Sequence, residues 1–166
     1  MANESYLQKG APLLISGAAG ADYAWSVEGI ASAAGRVSAQ IDLGAAPRPD
    51  EFEWSCEVQF QATPTQGLGL ELYRAGAPDS DATQIDGDIG NIDAALGDVD
   101  MRRNLRAIRY VVSENAAAGE ICVASGTFRH TNRYLSLVAY NGSGASVNAT
   151  DTNFVFILRP IYYQGQ

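Results

Sequence analysis

Between Glu51 and Ala62 the chain alternates without a break. Phe52, Trp54, Cys56, Val58, Phe60 and Ala62 fall on one side, and Glu51, Glu53, Ser55, Glu57, Gln59 and Gln61 on the other. A period of two marks a strand with one face in a core and one in water. Burying the large members is worth on the order of 10 kcal/mol gross, at roughly 1.5–3 kcal/mol each. A slip of one residue would turn that whole set outward, so the register is strongly specified.

Shorter alternations continue the pattern. Val37, Ala39, Ile41 and Leu43 read as the inward side of Arg36 to Leu43. Pro47-Arg48-Pro49-Asp50 is a turn into the long strand, and Thr63 to Gly67 is the next turn. Leu68, Leu70 and Leu72 then predict a strand in a hairpin with the long one. Ile108, Tyr110 and Val112 share a face, and Ile121–Arg129, Tyr134–Tyr140 and Phe154–Leu158 complete the set. No long stretch has helical period. The expectation is an all-β fold, a jelly-roll-like β-sandwich of about eight strands over residues 36–166.

Two segments break the rhythm. Residues 1–35 are rich in Ala, Gly and Ser and read as an extended N-terminal arm or edge segment. Residues 75–104 exceed any ordinary connection and carry Asp79, Asp81, Asp86, Asp88, Asp93, Asp98 and Asp100. They are expected to project as an acidic loop.

The chain has 166 residues and a net charge of −8, which repels phosphate backbones and argues against nucleic acid as a partner. No apolar run approaches the roughly 18 residues of a membrane span. Leu13 to Ile15 is too short an apolar stretch for a secretory leader.

Catalytic sets do not assemble from these residues. His130 is the only histidine and reads as a surface turn residue, and no G-x-S-x-G elbow accompanies it. Cys56 falls on the inward face, where a thiol is a small hydrophobe rather than a nucleophile. Cys56 and Cys122 lack zinc-ligand spacing. Asp86-Gly87-Asp88 with Asn91 and Asp93 offers oxygen ligands for calcium, but no Glu closes the loop, and a solvated acidic turn is the simpler reading. The expectation is a protein that is not an enzyme and needs neither cofactor nor metal.

Interaction surfaces are the remaining candidates. Arg102, Arg103, Arg106 and Arg109 form a basic cluster, either paired with the acidic loop or anchoring an acidic partner. Leu13, Leu14, Ile15 and Trp25 in the arm, and Tyr162 and Tyr163 after Pro160, are apolar groups in need of burial. A partner surface would supply it, and for identical subunits closed symmetry is the usual solution. A homo-oligomer is therefore expected.

The sequence also resembles small virion proteins of tailed bacteriophages, of the capsid-decorating or tail-accessory kind. The resemblance is carried by Asp86-Gly87-Asp88 with Asp93-Ala94-Ala95-Leu96, and by Asn104-Leu105-Arg106-Ala107-Ile108 leading to Val111-Val112. Arg133-Tyr134-Leu135-Ser136-Leu137-Val138 with Asn141, Phe154 to Pro160, and Met1-Ala2-Asn3 with Gly10-Ala11-Pro12-Leu13 extend it. It implies a structural β-sandwich, most specifically a decoration or cement protein. Such a protein assembles in the host cytoplasm and binds the major capsid protein on the outer surface of a phage head by non-covalent contacts. It also implies a trimer, the state suited to threefold positions. The alternative is a carbohydrate- or receptor-binding module of a phage tail, with Trp25, Tyr162 and Tyr163 stacking on sugars.

Overall fold

The long alternating strand lies inside one of two sheets packed face to face. In the computed structural model the described residues are 5–80, 85–114, 117–150 and 152–165. Asp81 and the Met1-Ala2-Asn3 start lie outside them. The strands are β1 (Ser5–Lys9), β2 (Leu13–Ser16), β3 (Tyr23–Ala24), β4 (Gly35–Val37), β5 (Ile41–Asp42), β6 (Glu51–Gln59), β7 (Gly69–Ala77), β8 (Ala94–Ala95), β9 (Arg106–Val112), β10 (Ile121–Arg129), β11 (Tyr134–Asn141) and β12 (Phe154–Gly165).

The first sheet has the order β10-β6-β12-β2-β3, with β1 beside β12. The second has the order β8-β4-β11-β7-β9, with β5 beside β11. The eight principal strands therefore form two four-stranded layers, β10-β6-β12-β2 and β4-β11-β7-β9. Neighbours in one layer come from distant parts of the sequence. This interleaving is the jelly-roll winding.

The alternation of β6 is realised as expected. Phe52, Trp54, Cys56, Val58 and Phe60 are buried between the sheets, with Phe154, Phe156 and Leu158 of β12 and Leu70, Leu72, Leu135 and Leu137 of the opposite sheet. Trp54 stacks parallel on Phe156, with ring centroids 5.7 Å apart.

The turn after β6 does not make a hairpin. Both flanks of β6 are occupied, by β10 and β12, so the chain crosses to the other sheet before β7 begins. The Arg36–Leu43 alternation is likewise interrupted. Ser38 is buried, and its hydroxyl accepts from Leu137 N and donates to Ala39 O. The chain changes face there: Val37 packs on the outside of the second sheet, Ile41 on the inside. In β9 a bulge near Ile108 shifts the register, so Val111 is the buried member while Tyr110 and Val112 are exposed.

Residues 13–35 are no free arm. β2 pairs with β12, and Trp25 stands edge-on to Phe154 and Phe156 at 5.1 and 5.5 Å. Its indole N–H donates to Arg36 O at 3.3 Å. Ile15, Val27 and Ile30 join the same core. The apolar demand of this segment is met within the chain.

The acidic stretch does not project either. Its start belongs to β7, where Ala75 and Ala77 are buried. Ile85, Ile89 and Leu96 then lie against Val37, Ala75, Ala77 and Val138 on the outer face of the second sheet, with Met101 and Leu105 beside them. Asp93 is bound into this layer. Its carboxylate accepts from Arg36 Nε at 2.7 Å and from the Ser26 hydroxyl at 2.5 Å. Burial alone would raise that carboxyl, but the Arg36 and Ser26 bonds outweigh it and hold it below the ordinary value.

Candidate functional site

The expected titratable groups are occupied by structure. His130 is buried rather than surface-exposed. Its Nε2–H donates to Tyr134 O at 2.9 Å, and its Nδ1 faces Arg74 Nη1 at 3.3 Å. Burial pushes the imidazole down to about 4, further lowered by Arg74, with the Tyr134 bond opposing. The backbone passes close by: a Cβ on Gly76 would fall 2.9 Å from the imidazole and 2.4 Å from the Asn132 amide, so a side chain there would push on both. Cys56 and Cys122 are free and buried. Burial pushes both thiols up, Cys122 to about 11.

Among the arginines the structure draws a distinction. Arg102 is turned onto its own chain, its guanidinium 3.6 Å above the Tyr140 ring and 3.7 Å from Glu71. Arg103 faces Asp100 at 3.3 Å in the exposed turn Val99–Asn104. Arg106 and Arg109 stand exposed on β9. The four therefore make no single basic patch. Of the proposed partner contacts, Ile15 and Trp25 are fully buried, so neither is available to a partner, and Trp25 is closed to a sugar. Leu13 and Leu14 are half-buried in β2.

Tyr162 and Tyr163 are different. They are 41% and 59% exposed, on the part of β12 that pairs with β1. The Tyr163 hydroxyl donates to Glu51. Pro160 and Tyr162 lie against Gly10, where a side chain would meet both. Beside them runs the Pro47-Arg48-Pro49-Asp50 turn, with a cis peptide before Pro47. Three hollows meet at this turn. One of about 330 Å³ lies between Pro47–Asp50 and Ile161–Tyr163. A second, about 280 Å³, runs over Tyr23, Phe52, Pro160 and Tyr162 to Asp42. The third, also about 280 Å³, reaches His130 and Thr131. At the rim Arg133 grips Asp42 with two bonds of 2.8 and 2.7 Å, which lowers the Asp42 carboxyl. This end of the sandwich is an aromatic and proline-lined platform with a charged border. Sequence pointed to the two tyrosines; the proline turn and the Asp42–Arg133 pair join them only through the fold.

A further groove, about 360 Å³, separates the edge strands β9 and β10 and is bordered by Arg109, Tyr110, Val112, Glu114 and Val123. Among the described residues no group of three or more His, Cys, Asp or Glu side chains is arranged to hold a metal ion. No described helix is long and apolar enough to cross a membrane.

The chain matches no known protein family and no curated protein. The site's meaning therefore rests on its own geometry.

Proposed function

We propose that this chain is a structural virion protein, a capsid decoration protein that binds the major capsid protein of a phage head by non-covalent contacts. The observation that carries this reading is the Tyr162–Tyr163 platform. Large, stiff aromatic groups beside a proline-braced turn offer contact area at low ordering cost, the composition favoured at protein interfaces. The charged border of Asp42, Asp50, Arg48 and Arg133 supplies orientation rather than affinity. The jelly-roll winding is compatible with this role, being common to capsid and lectin domains.

Mass spectrometry of purified particles of the source virus tests the class: the chain is expected at high copy. Binding of Tyr162→Ala/Tyr163→Ala to particles lacking the protein tests the face. Loss of binding with an unchanged fold supports it, and unchanged affinity excludes it.

One feature favours a second reading, a carbohydrate- or receptor-binding module. Tyr rings next to a bidentate Asp42–Arg133 pair combine a stacking surface with planar polar groups, the pairing that sugars require. Binding on a glycan array, abolished by Tyr162→Ala, would favour that reading over the decoration role.

A further inference from the structure

We propose that β10 is a self-association edge, on which a second copy of the chain pairs its own β10 antiparallel, joining two first sheets into one continuous sheet. This inference does not depend on the virion reading.

The other sheet margins are protected. β3 and β8 are two residues each, too short to template a neighbour. β9 carries a bulge near Ile108 and the exposed arginines Arg106 and Arg109. β1 ends on Lys9, which is paired with Glu53. All are recognised ways of blunting an edge. β10 shares with β1 only a terminal charge, Arg129, which is paired with Asp50. It is nine residues long and pairs with β6 in unbroken register from Ile121–Gln59 to Arg129–Glu51. It contains no proline and no charge before Arg129. Ile121 and Val123 are each 62% exposed on its outer face. A long, regular edge with no charge before its last residue and with exposed β-branched side chains is a pairing template.

The direction of its free groups follows from one bond. His130 N donates to Asp50 O at 2.7 Å, so the even-numbered residues turn their main-chain groups toward β6. In an antiparallel ladder the alternation is strict. The odd residues 121, 123, 125, 127 and 129 therefore turn theirs away from β6, on the side where a groove bordered by Arg109, Tyr110 and Val112 of β9 runs past Val123 and Ser125, and a second copy would lie along that groove.

The occupant is selected by self-complementarity. A two-fold axis at Ser125 pairs odd residues with odd residues along the whole strand. It sets Val123 against Thr127 of the second copy and Ile121 against Arg129, with Ser125 facing its own counterpart. No like charges meet, and a β-branched pair sits on each side of the axis. An isologous contact of this kind closes at two copies.

The register gives a sharp test with the full-length protein. Analytical ultracentrifugation of the wild type is expected to show a concentration-dependent dimer. Val123→Lys should weaken the association constant roughly tenfold or more, by losing a cross-strand pair and charging the edge. Ser125→Cys should form an intermolecular disulfide under mild oxidation, since Cα atoms of a hydrogen-bonded antiparallel pair lie about 5.5 Å apart. Thr127→Cys alone should not, because its counterpart is four positions away along the ladder. The buried native thiols do not compete. A wild type that stays monomeric at 100 µM-scale concentration overturns the proposal, as does dimerisation unchanged by Val123→Lys. So does cross-linking at position 127 as fast as at 125. Val123 is exposed, so its substitution leaves the core intact, and circular dichroism on each variant verifies the fold.

Discussion

Arg74 points its guanidinium at His130 across 3.3 Å, and the imidazole answers as an acceptor because its other nitrogen is committed to Tyr134. Burial of the ring is the main cost of charging it, and the Arg74 cation beside it adds to that cost. Arg106 adds to that field and Asp86 offsets part of it. The folded state therefore holds His130 neutral down to about pH 4, against an ordinary value of 6.5. Between those values the unfolded chain binds a proton that the folded chain does not. Stability is thus fully present above about 6.5 and falls as pH drops toward 4, by up to about 3 kcal/mol. Urea midpoints measured from pH 7 to pH 4.5 should show this slope. It should flatten in His130→Gln, which has no titrating ring.

The layer over the second sheet should prove part of the folded body. Ile85→Ala opens a cavity against Ala75, Ala77 and Val138 and should cost about 2–4 kcal/mol in denaturant unfolding. Deletion of residues 79–93 removes Ile85, Ile89 and Asp93 together. It should lower the melting temperature sharply, where a projecting loop would have left it unchanged.

The two tryptophans should respond differently to conservative replacement. Trp25→Ala and Trp54→Ala should each cost about 3–5 kcal/mol. Trp54 Nε1 is buried without a hydrogen-bond partner, whereas Trp25 Nε1 donates to Arg36 O. Trp54→Phe removes an unsatisfied donor and should lose less than Trp25→Phe, which removes the indole bond to Arg36 O. Paired chemical-denaturation curves measure the difference.

Thiol reagents should report global opening. Cys56 and Cys122 are buried and their thiols held protonated, so labelling at pH 8 should be slow in the native state and rapid in denaturant. Fast labelling of either residue in native buffer would show that the β6–β10 pair breathes locally.

The legible parts of this fold were those with repetition. β6 could be read residue by residue because its two faces meet opposite solvents along nine positions. Trp25 was misread because its alternation with Tyr23 and Val27 spans only three positions, and because its partners Phe154 and Phe156 lie at the far end of the chain. Ile85, Ile89 and Leu96 are spaced irregularly among aspartates, so their shared cover over the second sheet has no signature in sequence. His130 looked like a turn residue because the group that buries it, Arg74, comes from another strand. For the candidate site, the tyrosines were visible as aromatic residues past a proline. Their assembly with Pro47–Pro49 and Asp42–Arg133 depends on sheet order, which periodicity does not encode. The strand at 121–129 was legible as well, but not its position at a margin.

The placement of β12 has a consequence for biogenesis. It is made after the other strands, yet it lies between β6 and β2 in the middle of the first sheet, and its far half holds β1. During synthesis, β6 and β2 have no strand between them until residues 154–165 leave the ribosome. The first sheet therefore closes after translation of that segment, in a step dominated by contacts of long sequence separation, which makes closure slow relative to local folding. Until then Trp25 and Trp54 lack the β12 rings, Phe154 and Phe156, that they pack against in the folded sheet.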